Sequence, residues 1–143
     1  MLTNLQKAKS YLQDSGASCV MAKDSELRHS EKPGIMPLLE WLKEDSATLQ
    51  NSSIADKVVG KAAALLMVFG KVSEVYAEVI STAAIECFEK NKVLFSFGEK
   101  VPYILNRDQT DMCPMEKRCM GTDSPAEAYQ ILGDMVKNFA KKS

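Results

Sequence analysis

The spacing of apolar residues in the N-terminal part of the chain predicts a helix, a hairpin and a second helix. Apolar residues first recur every three or four positions and stop at Ser15-Gly16, as in an amphipathic helix. Residues 18–22 and 26–29 then form two short runs around polar turn residues, which is the pattern of a β-hairpin. Pro33-Gly34 breaks the chain, and helical spacing returns from Ile35 onwards.

The most apolar stretch, residues 58–69, predicts a helix that is buried over most of its surface. We expect this helix to open at Ala55-Asp56-Lys57 and to end at Gly70. The valine-rich segment that follows, residues 72–80, predicts a buried strand, and residues 83–91 predict a short helix.

Two strands and two helices are predicted in the C-terminal part of the chain. Residues 93–97 and 101–105 have the composition of strands and are separated by the turn residues 98–100. Cys113-Pro114 opens a short helix, because proline fits the first helical turn. A capping box at residues 124–127 starts the last helix.

Helices that alternate with strands predict the α/β class. The expected architecture is a three-layer α/β/α sandwich around a mixed sheet of about five strands. The length of 143 residues fits one domain over residues 1–143, in which we expect residues 124–142 to form a C-terminal helical extension. In such folds ligands bind beyond the carboxyl ends of parallel strands, close to helix N-termini.

Four polar clusters stand at predicted strand ends or helix starts, and we expect them to converge on one pocket. The clusters are Ala55-Asp56-Lys57, Ser81-Thr82, Asn106-Arg107 and Cys113-Pro114-Met115-Glu116. The residues that we expect to bind a ligand there are Lys61, Ser81, Asn106, Arg107 and Glu116.

Composition excludes several classes of function. Lys and Arg total 18 and Asp and Glu total 19, so the net charge of −1 lacks the basic surface of a general nucleic-acid binder. No apolar run is long enough for a membrane span, and the first residues lack a signal-peptide core. The four cysteines have no CxxC spacing, which favours reduced thiols and a cytoplasmic location. A single histidine, His29, excludes any site that needs two histidines from one chain.

Four motifs, taken in order, resemble a known family. The motifs are Gly34-Ile35-Met36-Pro37-Leu38, the run 55–66, Asn106-Arg107 and Cys113-Pro114-Met115-Glu116. Together they resemble a prokaryotic domain-of-unknown-function family, family 1893, over roughly residues 5–120.

That resemblance implies a fold similar to the cytidine deaminases. In deaminases one helix opens with His or Cys, any residue and Glu, and a second opens with Pro-Cys-x-x-Cys; these residues hold zinc and shuttle protons. At the corresponding positions this chain has Ala55-Asp56-Lys57 and Ser81-Thr82, with no histidine or cysteine. We therefore expect a deaminase-like fold with no cofactor, and a protein that purifies without stoichiometric zinc.

Asp56 and Lys57 have two interpretations. Asp56 fits a capping box with Ser53, where its charge would also suit the helix dipole. Alternatively, Lys57 would hold a phosphate or carboxylate, or act with Asp56 as an acid–base pair.

Cys113 and Glu116 also have two interpretations. They fit the N-cap and third position of a plain helix start. Alternatively, Cys113 is a reactive thiol whose pKa is lowered by the helix start and by Lys117 and Arg118. We predict that Cys113 is the most reactive of the four thiols.

Three functions remain open from the sequence. The first is zinc-free binding of a small polar metabolite, nucleoside- or nucleotide-like by fold analogy. The second is a metal-independent enzyme with Cys113 as nucleophile, or with Asp56 and Lys57 as an acid–base pair. The third is an oligomerising scaffold, a homo-oligomer with an exposed apolar patch near Trp41 or on the last helix.

Overall fold

The computed structural model describes residues 2–106 and 108–142, with side chains as far as Asn138 in the last helix. Arg107, one of the expected ligand residues, lies outside the described residues. The strands are β1 (Cys19–Lys23), β2 (Glu26–Ser30), β3 (Ser53–Val59), β4 (Glu74–Ser81) and β5 (Leu94–Val101). The helices are α1 (Asn4–Asp14), α2 (Met36–Glu44), α3 (Lys61–Phe69), α4 (Thr82–Lys90), α5 (Pro114–Cys119) and α6 (Pro125–Lys142).

The strands form one mixed sheet in the order β2-β1-β3-β4-β5. β1 runs antiparallel to both of its neighbours, and β3, β4 and β5 run parallel to one another. The predicted hairpin is confirmed, with Lys23 opposite Glu26 at its closed end. The α/β class and the mixed five-stranded sheet are therefore confirmed.

Helices cover both faces of the sheet. On one face α1 buries Ala8 and Leu12 in a small cluster with Val20 and Tyr76 of the sheet. On the other face α3 lies at the centre and contacts α2, α4, α5 and α6. Every residue of α3 from Ala62 to Met67 is buried, as the sequence predicted.

The start of this central helix differs from the prediction. Residues 55–57 do not open α3, because they lie within β3, paired with β1 on one side and β4 on the other. The β-branched Ile54, Val58 and Val59 favour a strand, and the helix begins only after Gly60. The predicted capping box of Ser53 and Asp56 is therefore wrong.

Residues 94–97 lie in a strand as predicted, but the predicted turn at 98–100 and the second strand over 101–105 are wrong, because one continuous strand, β5, spans Leu94–Val101. Gly98 does not make a turn. A Cβ atom there would lie 2.9 Å from the carbonyl oxygen of Glu78, so the glycine allows close strand approach. Pro102 follows the end of β5, and Leu105 forms only an isolated bridge with Met112.

The last helix packs into the main core. The hydroxyl of Ser124 accepts a hydrogen bond from the Glu127 N–H, as a cap should. Ala128 and Leu132 are fully buried, and Tyr129 stacks on Phe69 of α3 with ring centroids 4.6 Å apart. Within residues 2–106 and 108–142, no helix is both long and apolar enough to cross a membrane.

Candidate functional site

The N-terminus of α3 lies at the carboxyl edge of the sheet and is closed by Glu116. Oε2 of Glu116 accepts a hydrogen bond from the Lys61 N–H at 2.8 Å, and Oε1 of Glu116 accepts one from the Ala62 N–H at 3.0 Å. Glu116 is buried, and burial raises the pKa of its carboxyl while the two N–H groups act in the opposite direction. Two of the donors that a helix start leaves unpaired are therefore occupied from inside the chain.

Gly60 makes this arrangement possible. It is the N-cap of α3 in an extended conformation and has no side chain to cap the helix. The three atoms nearest to a Cβ built at this position all belong to the Glu116 carboxylate, well inside van der Waals contact. A glycine is therefore needed for the carboxylate to reach the helix.

The start of α4 is closed by its own cap. Ser81 is buried, and its hydroxyl accepts a hydrogen bond from the Ala84 N–H at 3.1 Å. Ser81 and Glu116 line a small cavity of about 90 Å³, together with Tyr103 and Met112. This space at the expected ligand position is far smaller than the roughly 300 Å³ at which small-molecule sites begin.

Asp56 is buried in β3 and is not at a helix start. Its Oδ1 accepts a long hydrogen bond of 3.4 Å from the Val58 N–H. Its Oδ2 is the only buried side-chain oxygen or nitrogen without a partner among the described residues. Burial raises the pKa of Asp56 to about 7, against the opposing effect of the hydrogen bond from the Val58 N–H.

The two lysines that were expected near Asp56 lie in different surroundings. Lys57 is exposed on β3, and no ion pair joins it to a described side chain. Lys61 lies in a separate, charged cavity of about 270 Å³ between α3 and α4. There its Nζ lies 3.1 Å from Oδ1 of Asp123, whose Oδ2 is 3.6 Å from Nζ of Lys90.

A larger groove of about 740 Å³ lies where all four of the sequence motifs meet. Its walls come from the turn before α2, from β3, from the loop after β5 and from the start of α5, and they are mostly apolar. The lining residues are Pro33, Gly34, Ile35, Met36, Val58, Ile104, Leu105, Asn106, Asp108, Cys113, Pro114 and Met115. The positive φ of Gly34, 58°, shapes the turn that leads into α2 at one side of this groove.

The loop that forms another side of the groove is closed by its own hydrogen bonds. The Cys113 N–H donates to the Ile104 carbonyl at 2.9 Å, and the Asn106 N–H donates to the Asp111 carbonyl at 2.8 Å. The Asn106 side chain bonds Thr110 through both its oxygen and its nitrogen. These bonds hold Asn106 and Cys113 at the groove.

Cys113 is the accessible thiol of the chain. It is the N-cap of α5, as predicted, but its sulfur makes no capping hydrogen bond. The other three cysteines are buried. Burial raises the pKa of Cys87 and of Cys119 to about 11, and it raises that of Cys19 well above its ordinary value.

The predicted single pocket is therefore replaced by separate places in the fold. Asn106 and Cys113 share the groove, Ser81 and Glu116 share the small cavity, Lys61 lies in the charged cavity, Asp56 lies in the core and Lys57 lies on the surface. Among the described residues, no three His, Cys, Asp or Glu side chains are grouped so that they could hold a metal ion.

Comparison with known proteins agrees with the motifs that meet at this edge. The family described as TM1506, domain of unknown function (DUF1893), matches residues 7–136. The chain belongs to this family. The match begins in α1 and extends into α6, so it includes every strand of the sheet.

A solved structure supports the same assignment. The DUF1893 family protein TM1506 from Thermotoga maritima is 30% identical in sequence and superimposes with a TM-score of 0.83. The alignment covers 94% of this chain and 92% of that one. No curated protein matches this chain.

Sequence reasoning missed two features of the site. The first is the contact of Glu116 with the start of α3; its only signal is Gly60, a glycine directly before a helix that is apolar after its first residue, Lys61. The second is the apolar wall of the groove, with Val58 and Met115. Attention to charged residues at strand ends passed over both of these side chains.

Proposed function

We propose that the chain binds a small molecule with a flat apolar body and one hydrogen-bonding edge in the groove. One observation carries the proposal: motifs far apart in the sequence line a single, largely apolar groove of about 740 Å³. That volume is within the range of small-molecule sites, which are typically apolar with a few polar groups that fix orientation. Asn106, Asp108 and Cys113 are the polar groups here.

Nucleosides and nucleobases are the class that we propose. Their rings suit apolar walls such as Ile35, Val58 and Met115, and their edges can pair with an amide or a carboxylate. The resemblance to cytidine deaminases points to the same class, and we take the deaminase-like fold itself as part of this proposal. Fold analogy alone would be a weak reason.

The test is thermal unfolding with adenosine, guanosine, cytidine, uridine and their free bases. A ligand of the folded state at a hundred times its Kd adds about 2.7 kcal/mol of stability, which raises Tm by several degrees. The same ligand should slow alkylation of Cys113, because this thiol lines the groove. If no compound raises Tm or slows alkylation at millimolar concentration, the proposed ligand class is wrong.

A pair of variants localises the site. Val58 and Leu94 are both partly exposed apolar residues on strands, 44% and 70% exposed, but only Val58 lines the groove. Val58→Tyr should narrow the groove and weaken binding at least tenfold, whereas Leu94→Tyr should bind like the parent chain. Tyrosine is well tolerated in strands, so both variants should fold.

A metal-independent enzyme that uses Cys113 is the second candidate. The observation in its favour is that this thiol lines the groove while the other three are buried. The acid–base version is weaker, because Asp56 is buried and Lys57 is exposed. Turnover of a bound nucleoside that stops in Cys113→Ser would favour the enzyme over the simple binder.

An oligomerising scaffold is the third candidate. Trp41 is buried and is not part of an exposed patch. Leu94 and Phe97 on the edge strand β5 are 70% and 42% exposed, and an open strand edge can pair with another chain. The molecular mass in solution, measured for the parent chain and for Phe97→Lys, distinguishes this candidate.

A further inference from the structure

The Cys113–Glu116 motif performs two tasks in one short helix. Cys113, Pro114 and Met115 line the groove, and Glu116 extends to the start of the central helix. α5 has only six residues, so a short segment of chain joins the two contacts. The position of this groove wall must therefore depend on what holds α5 in place.

Two buried side chains hold α5. Glu116 is 7% exposed and has both oxygens bonded to N–H groups of α3. Cys119 is fully buried in the main core. The backbone bond from the Cys113 N–H to the Ile104 carbonyl and the packing of Met115 against the main core also hold α5. The ion pair of Lys117 is exposed, and such pairs contribute little to stability.

We propose that Glu116 is a positioning residue for the groove: its bonds to α3 fix the wall formed by Cys113, Pro114 and Met115. The bonds are charge-assisted and directional, so they fix orientation as well as position. Any effect of Glu116 on ligand binding rests on the proposed function. The effect of Glu116 on the exposure of Cys113 can be measured without any ligand.

The competing interpretation is that Glu116 only caps α3. A cap contributes stability wherever it comes from, so a local cap at residue 60 should then replace Glu116 completely. Gly60 has φ −103° and ψ −174°, which serine adopts without strain. The atoms nearest to a new Cβ belong to Glu116, so the double variant Gly60→Ser/Glu116→Ala has room for the serine.

The experiment compares the parent chain, Glu116→Ala and Gly60→Ser/Glu116→Ala. Urea unfolding reports the cap, and the rate of Cys113 alkylation by iodoacetamide without ligand, followed by peptide mapping, reports the groove wall. Glu127→Ala is the matched control, because Glu127 occupies the same third position of α6 behind a proline but is exposed.

We expect Glu116→Ala to lower the urea midpoint and to speed Cys113 alkylation at least threefold. The double variant should recover part of the midpoint but keep the faster alkylation, because its α5 is still released from α3. Alkylation at the parent rate in the double variant would overturn the positioning role, and so would parent-like alkylation in Glu116→Ala. Nucleoside affinity is then measured on the same variants; absence of binding in the parent chain contradicts only the proposed function.

Discussion

The starts of α3 and α5 use their polar groups in opposite ways, although a single residue, Glu116, connects them. At the start of α3, a glycine gives space to a carboxylate that pairs two N–H groups, and almost no cavity remains. At the start of α5, the cap residue Cys113 makes no side-chain bond and lines an open groove.

This difference shows that a polar cluster at a strand end is a ligand site only if part of its hydrogen-bonding capacity remains unused. Buried polar groups are nearly always paired, so their hydrogen-bond partners usually come from within the protein and not from a ligand. Ser81 and Glu116 serve the fold in this way. The open side of the comparison is mostly apolar, and it is there that a ligand would gain most from leaving water.

A substitution of Gly60, at the start of α3, should cause the largest loss of stability. Gly60→Ala places a methyl group against the Glu116 carboxylate and should lower the free energy of unfolding by about 3 kcal/mol. Gly121→Ala is the control, since no atom lies within 4 Å of its new Cβ. In a Glu116→Ala background the Gly60→Ala penalty should fall below about 1 kcal/mol; an equal penalty in both backgrounds would contradict the proposed clash. Urea unfolding measures all of these values.

The buried carboxyl group of Asp56 should make the free energy of unfolding depend on pH. Its folded-state pKa of about 7 lies above the value of an unfolded aspartate, so the folded state holds the proton more tightly. The stability that this group contributes is fully present below about pH 4 and is lost as the pH rises through 7. Between pH 5 and 8 the loss should be on the order of 2 kcal/mol, measured by urea unfolding across the range.

Asp56→Asn removes the titrating group and keeps the shape of the side chain. The variant should gain stability relative to the parent chain as the pH rises from 5 to 8, whereas the exposed Asp14→Asn should keep the parent profile. Glu116 has a raised pKa as well, so part of the slope should persist. A slope unchanged by Asp56→Asn would show that Asp56 is ionised or hydrated in the folded state.

Apolar periodicity predicted most of the fold because burial follows it. α1, the β1–β2 hairpin, α2 and the core of α3 lie where the spacing of apolar residues places them. The errors fall at β3 and β5, where the spacing is ambiguous. Val58 and Val59 continue directly towards an apolar helix, and Gly98 resembles a turn residue until Glu78 is seen beside it.

The candidate site was harder to predict for a physical reason. A sequence shows which side chains are polar, but it does not show which are already paired. The partner of Glu116 is a pair of backbone N–H groups 54 and 55 residues away, and such partners leave no residue pattern. The predicted position of Cys113 as the N-cap of α5 is confirmed, because Pro114 fixes the helix start and thereby the place of Cys113.

Substitution of Cys113, at the start of α5, should have the smallest effect on stability. Cys113 is half-buried, and its sulfur makes no capping bond, so Cys113→Ser should change the free energy of unfolding by about 0.5 kcal/mol or less. Serine is the better cap, so the change should be towards greater stability.

In the parent chain a limiting amount of iodoacetamide should label Cys113 first, because burial raises the pKa values of Cys19, Cys87 and Cys119. Cys113→Ser should abolish this early labelling, and peptide mass mapping across a pH series measures it. Early labelling of Cys119 in the parent chain would mean that α5 opens from the core more readily than its buried contacts allow, and the contrast between the two helix starts would then fail.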